Sequence, residues 1–223
     1  MTQALKLYYH PFASFCQKAL IALYENETPF EPKLIDLGDP ASRGELEAVW
    51  PFARFPVLRD EARNAIVPES SVIIAYLQSH YPGPARLIPD NPDAATRVQV
   101  LDRVFDNYIA QSVTKTVIDT FRPEGRNDPD GVAQAKALIE TAYDFLESAL
   151  AEGGWAAGDD FTLADCAAAP TLFYANTIVP FGEHAKVVAY YQRLLARPSF
   201  ARVVDEARPY RHLFPLEWPA SYA

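Results

Sequence analysis

The hydrophobic pattern changes character partway along the chain. Over residues 1–81 short apolar runs alternate with amphipathic stretches, whereas beyond residue 92 only helical periodicity remains. Leu5–Tyr9 is a short apolar and aromatic run closed by His10-Pro11, which predicts a first strand. Within Phe15–Glu25 the residues Ala19, Leu20, Ala22 and Leu23 recur at helical spacing. Phe30–Leu37 predicts a second strand, closed by Gly38-Asp39-Pro40, and Ser42–Val49 a short charged helix. Val57-Leu58 and Ala65–Val67 predict two more strands, joined by a hairpin turn at Asp60–Asn64. Glu69-Ser70 opens a helix whose inward face is Ile73, Ile74 and Leu77. The order β-α-β-α-β-β-α predicts a small α/β domain.

From Tyr81 to Pro92 there are four prolines in twelve residues. Proline fixes φ and removes a backbone donor, so residues 82–92 read as a linker. Residues 93–223 then predict an all-α domain. Val98, Leu101, Phe105, Tyr108 and Ser112 share one face of a long helix. A stripe from Ala135 through Leu138, Ile139, Ala142, Phe145 and Leu146 to Ala149 and Leu150 predicts the next, with Gly153-Gly154 as its stop. Leu163–Ile178 is apolar nearly all round and reads as the buried central helix. Val187–Leu195 and Phe200–Val204 supply two more.

Composition narrows the function. With 49% hydrophobic and 22% charged residues, the chain is neither disordered nor of low complexity. At this length about 70% of the unfolded surface can be buried, so no disulfide or metal is needed for a core. The net charge of −9 and the absence of a basic run argue against nucleic acid as a partner. No apolar run approaches membrane-spanning length, and the N-terminus has no signal-peptide pattern. The two cysteines, Cys16 and Cys166, lack metal-ligand spacing, so no metal is expected and a reducing, cytoplasmic compartment is the simplest reading.

Three short motifs give the chain a family likeness: Phe55-Pro56-Val57-Leu58, Glu69-Ser70-Ser71-Val72-Ile73-Ile74 and Gly158-Asp-Asp-Phe-Thr-Leu-Ala-Asp165. In this order, flanking a proline-rich linker, they resemble the cytosolic glutathione transferases, over essentially the whole chain. The resemblance implies a thioredoxin-like N-terminal domain, an all-α C-terminal domain and a homodimer. It also implies glutathione as the substrate. A cis Pro56 would present the Phe55 backbone to the cysteinyl part of glutathione as a short β-addition. The helix opening at Ser70 suits the γ-glutamyl carboxylate, with Glu69 for its ammonium. Arg54 sits where relatives carry a Lys or Gln at the glycyl end, although a solvated loop charge is the plainer reading. Thr162 and Asp165 have capping-box spacing, with a structural role.

Conjugation needs a thiolate. A thiol of pKa near 8.5 is only about 3% ionised at pH 7. Lowering that pKa by two costs about 2.7 kcal/mol of anion stabilisation. In serine- and cysteine-using relatives the catalytic residue stands three positions before Cys16, where this chain has Ala13. Ser14 is the candidate donor, with an N-cap as the competing reading. Tyr8 and Tyr9 are the alternatives, with strand packing as theirs. Cys16 occupies the resolving position of a redox motif and reads as a buried small hydrophobe. His10 reads as a strand-end residue beside the site. Trp50, Ala53 and Phe55 depart from the family's N-P-x-G-[KQ]-V-P pattern. Phe52 falls where some classes place a dimer anchor. The acceptor pocket is expected between domains, lined by Phe12, Phe105, Tyr108 and the tail near Trp218. The leading function is glutathione transfer to an apolar electrophile, a detoxification reaction. Glutathione-dependent peroxide or disulfide reduction is the alternative enzyme. A glutathione-binding or interaction protein without chemistry is the other alternative.

Overall fold

The computed structural model describes residues 4–218. Its N-terminal part holds β1 (Leu5–Tyr9), α1 (Ser14–Glu25), β2 (Glu31–Leu34), α2 (Pro40–Val49), β3 (Val57–Asp60), β4 (Ala65–Pro68) and α3 (Ser70–His80). The strands form one sheet in the order β2-β1-β3-β4. β1 runs parallel to β2, with Leu7 opposite Pro32, and antiparallel to β3, with Leu7 opposite Leu58. β3 pairs antiparallel with β4, Leu58 opposite Val67. Strand alternation sends Leu5 and Leu7 to the main core with Leu20, Ile73 and Leu77, while Tyr8 faces the smaller cluster of Ile35, Leu46 and Val57. The helices α1 and α3 therefore cover one face of the sheet and α2 the other.

Most boundaries fall within two residues of expectation or differ by a short extension, and two differences in this half have a local reason. β2 ends at Leu34 rather than Leu37; it is an edge strand carrying Pro32, which has no N–H for a ladder. α2 opens at Pro40 because the Asp39 carboxylate accepts from the Ala41 and Ser42 N–H groups, leaving Pro40 at a first-turn position that needs no donor.

The linker is pinned by side chains: Asn26 accepts from the Ala85 N–H, and Gln78 exchanges two bonds with the Ile88 backbone. Beyond it come α4 (Pro92–Arg103), a π-helical turn (Val104–Ala110), α5 (Gln111–Thr120), α6 (Pro129–Ala149), α7 (Leu163–Ile178), α8 (Ala185–Leu195), α9 (Pro198–Ala207) and a 3₁₀ segment (Arg208–Leu213). α6 stops at Ala149, with Leu150 as its cap, short of the Gly153-Gly154 pair. α7 is buried from Leu163 through Ala175 and packs directly on α1, so one core runs through both parts. The expected long helix is continuous, but its buried face changes register. Val98, Leu101, Phe105 and Ser112 are buried as the pattern implies, but Ile109 takes the buried place expected of Tyr108. The π turn, with its wider i→i+5 spacing, rotates Tyr108 outward to 50% exposure.

Candidate functional site

Two cavities meet where α1 begins, between the sheet and the helical half. The first, of about 170 Å³, takes Arg54, Phe55 and Pro56 from the loop before β3, and Glu69 and Ser70 from the start of α3. All five residues assigned from sequence to glutathione thus line one space. The opposite wall comes from the helical half: Arg103, Asp106, Asn107 and Gln111. These four were not anticipated. The signal was available in part, because Asp102 and Asp106 lie four apart beside the apolar positions Leu101 and Phe105, where carboxylates are out of place.

The Phe55–Pro56 peptide bond is cis, and among the described residues the Phe55 N–H and C=O have no hydrogen-bond partner. On the facing edge Glu69, at φ 69°, turns the chain from β4 into α3 in the left-handed region that non-glycine residues rarely occupy. This turn leaves Ser70 buried at the first position of the helix and Glu69 exposed. Strain held at such a turn is typical of a ligand clamp.

Beneath the first cavity lies an ionic cluster, buried except for the half-exposed Arg103. Lys18 of α1 donates to Asp102 at 2.5 Å, Asp106 at 2.7 Å and Ser71 at 2.8 Å. Arg103 adds bonds to Asp102 and Asp106, both at 2.6 Å. Two cations face two carboxylates, which is the condition under which charges tolerate burial. Burial raises the Asp106 carboxyl above its ordinary range, while the Lys18 charge works to lower it.

The second cavity, of about 300 Å³, is apolar. Phe12, Val113, Val117, Ile118, Tyr174 and Phe214 line it, and Ala13, Ser14 and Phe15 form its rim. Of the expected acceptor residues only Phe12 is there. Phe105 is fully buried in the helical core, as its place in the apolar stripe implies, and Tyr108 is turned to solvent at the π turn, so neither lines this cavity. The tail contributes Leu213–Pro215, and Trp218 backs the wall by packing on Phe12 at 6.0 Å.

Phe15 and Phe55 line both cavities, so the two spaces join at the N-terminus of α1. Ala13 is the N-cap of that helix and offers no side-chain cap. The Gln17 N–H is the first to bond back, to Ala13, so those of Ser14, Phe15 and Cys16 have no partner among the described residues. Ser14 is the first helical residue, not the cap, which removes the capping alternative; its hydroxyl also has no partner among the described residues. A helix end with bare donors is a built-in anion site.

Other candidates fall elsewhere. Tyr8 packs with Ile35, Leu46 and Val57 under α2. Tyr9 opens onto a separate groove with Tyr24 and Glu206, and burial raises its hydroxyl pKa. Neither lines the two joined cavities. Cys16 is fully buried, accepts from the His10 N–H at 3.5 Å, and its thiol is pushed far up by burial. His10 Nδ1 accepts from the Phe12 N–H at 3.2 Å, its ring stacks on Phe55 at 6.3 Å, and burial lowers its pKa. A neutral imidazole thus buttresses Phe55. Phe52 stands 69% exposed in the loop after α2, against Trp50 at 5.1 Å. No group of three or more His, Cys, Asp or Glu side chains could hold a metal among the described residues. None of the described helices is long and apolar enough to cross a membrane.

Comparison with known proteins finds relatives over most of the chain. Residues 7–85 match the model of the glutathione S-transferase N-terminal domain, and residues 129–193 match that of the glutathione S-transferase C-terminal domain. The glutathione S-transferase hmp2 of Hypomyces subiculosus is 29% identical over 205 residues, covering 86% of this chain and 94% of that one. A stringent starvation protein A homolog of Coxiella burnetii is 27% identical over 206 residues, covering 91% and 92%. Among solved structures, a glutathione S-transferase of Methylobacterium radiotolerans in complex with glutathione sulfonate superposes with a TM-score of 0.79 at 26% identity, covering 96% of each chain.

Proposed function

We propose, since this chain belongs to the glutathione S-transferase family, that it binds glutathione in the first cavity and joins it, through its sulfur, to an apolar electrophile in the second. One observation carries the reading: the polar and the apolar cavity share Phe15 and Phe55 and meet at the uncapped start of α1. A tripeptide with carboxylates at both ends and a thiol in its middle fits that division. Ser70 and the first turn of α3 receive the γ-glutamyl carboxylate, and Arg54 the glycyl one. The free Phe55 N–H and C=O pair with the cysteinyl backbone. The thiol then lies at the start of α1, where Ser14 Oγ–H and the bare N–H groups stabilise the thiolate. Its lone pair forms the new carbon–sulfur bond as the leaving group departs with its electron pair. The apolar walls keep water from competing.

Residues 1–81 would then be the glutathione-binding domain, 82–92 the linker and 93–223 the acceptor domain, acting in the cytoplasm as a homodimer with Phe52 as the anchor. A second reading has a specific observation behind it. Ala13 leaves the position used by serine- and cysteine-type relatives without a donor, and a stringent starvation protein A homolog is similar over nine-tenths of this chain. A glutathione-binding protein without chemistry fits both facts. Retention on immobilised glutathione tests the binding. Turnover with an activated aryl halide supports the transferase; turnover with a hydroperoxide or disulfide alone replaces it with a reductase. Binding with no turnover favours the second reading, and no retention removes all three.

A further inference from the structure

The turn between β1 and α1 carries the uncapped start of α1, and it is held from the other half of the molecule. Its own bonds fix one side: the His10 C=O accepts from the Ala13 N–H at 3.1 Å, and His10 Nδ1 from the Phe12 N–H at 3.2 Å. The Pro11 and Phe12 carbonyls are met by side chains instead. Gln17 Nε2 donates to the Pro11 C=O at 2.8 Å and to the Tyr174 hydroxyl at 3.1 Å, and that hydroxyl donates to the Phe12 C=O at 2.8 Å. A carbonyl can only accept, so the direction of this relay is settled at both ends. Gln17 and Tyr174 are both buried. Burial also holds the Tyr174 hydroxyl far above its ordinary pKa, so its proton stays on the relay around neutral pH.

The relay supplies a restraint that α1 lacks. Ala13 gives the helix no side-chain cap, and the N–H groups of Ser14, Phe15 and Cys16 have no partner among the described residues. Such donors stabilise an anion best when they are fixed before it forms. Tyr174 reaches them from α7: its ring lines the apolar cavity and packs edge-on against Phe12 at 5.5 Å, while its hydroxyl is spent on the turn. We infer that Tyr174, seated by Gln17, is a positioning residue for the thiolate, holding the turn by the Phe12 carbonyl so that Ser14 and the bare N–H groups meet the glutathione sulfur. Without the hydroxyl, the Phe12 carbonyl loses its donor and the turn must shift to find another. This inference rests on the assignment of the joined cavities to glutathione and its acceptor.

Tyr174→Phe keeps the ring and removes the relay. With glutathione and an activated aryl halide, its kcat at neutral pH should fall about tenfold, with the KM for glutathione within about twofold of wild type. The pH–rate profile and the absorbance of the bound thiolate should both move up by about one pH unit, so that the two proteins converge in alkaline solution. Gln17→Met removes the other end of the relay and should move the profile the same way; it decides the matter if Tyr174→Phe does not fold. A Tyr174→Phe with a lower unfolding midpoint and an unmoved profile overturns the inference, because a ring that only fills the core behaves so. A kcat lowered equally at every pH also overturns it, by placing the hydroxyl on the electrophile. Wild type that binds no glutathione removes the glutathione reading and this inference with it. Wild type that ionises the bound thiol, matched at every pH by both variants, removes the inference alone.

Discussion

One hydroxyl and one thiol lie within the first turn of α1, and their surroundings give them opposite prospects. Ser14 Oγ is on the rim of the apolar cavity with no partner among the described residues, while Cys16 is sealed in the core with its pKa raised by burial. If Ser14 donates to the thiolate, Ser14→Ala should raise the pKa of bound glutathione by about one to two, worth about 1.4–2.7 kcal/mol. Cys16→Ser should leave that pKa largely unchanged. Absorbance of the bound thiolate against pH reads both variants. An unmoved pKa in Ser14→Ala would hand the role to the helix N–H groups, and Ala13→Ser would then be the variant to gain rate. Ser70 supplies a second test on the same scale. Its hydroxyl is buried at the head of α3 in the first cavity, so Ser70→Ala should weaken glutathione binding by about 1–3 kcal/mol. Calorimetry giving equal affinity in the folded variant would take Ser70 out of the site.

At the scale of elements, α7 shows why some of the fold was legible in the sequence and some was not. Its limits, Leu163–Ile178, follow from a continuous apolar run behind a Thr162–Asp165 cap, both of which are local signals. The cap does more than its motif promises. Asp165 accepts from the Thr162 N–H and hydroxyl, the Ala156 N–H and the Tyr190 hydroxyl, all at 3.0 Å or less. The last two tie the loop before α7 and the helix α8 to its start, and sequence spacing cannot show them. Asp165→Ala should therefore cost more than an ordinary cap, about 3 kcal/mol or above, because several buried donors lose their acceptor together. Urea midpoints check it, and a loss under 1 kcal/mol would reduce Asp165 to a simple cap. The π turn has no such local signature. Its i→i+5 spacing departs from the 3.6-residue periodicity that put Tyr108 on the buried stripe with Phe105, so the helical pattern fails at Tyr108. Phe12, upstream of it, lines the apolar cavity.

At the scale of the molecule, the first cavity's lining from the N-terminal half was legible because Arg54, Phe55, Pro56, Glu69 and Ser70 sit at strand and helix ends, which short motifs mark. The facing wall was not, because Arg103 and Asp106 reach the cavity only through the packing of one half on the other. Assembly and acid stability are tested at this scale too. Phe52 is exposed and packs on the half-buried Trp50, which lines the first cavity, so sedimentation should show a dimer that Phe52→Ala weakens. A wild-type monomer at micromolar concentration would dismiss the anchor. The two halves are clamped away from the site as well. Glu25, at the end of α1, accepts from Arg197 Nε at 2.8 Å and Nη2 at 2.6 Å and from Ser199 Oγ at 2.5 Å, at the start of α9. The Arg197 guanidinium in turn lies 4.4 Å from the Phe161 ring centre. Burial works to raise the Glu25 carboxyl, but the bonds from Arg197 and Ser199 prevail and hold it below its ordinary value of 4.5. A carboxylate with a depressed folded pKa stabilises the fold above its unfolded pKa, and that contribution disappears as pH falls through the folded value. Glu25→Gln should thus be less stable than wild type at pH 7, by about 1–3 kcal/mol for a partly buried bidentate pair. The gap should narrow as the pH falls below 4.5 and close once the wild-type carboxyl is protonated. Urea unfolding of both proteins at neutral and acid pH measures it directly, and a gap constant with pH would show that the Glu25 charge does no work in holding the two halves together.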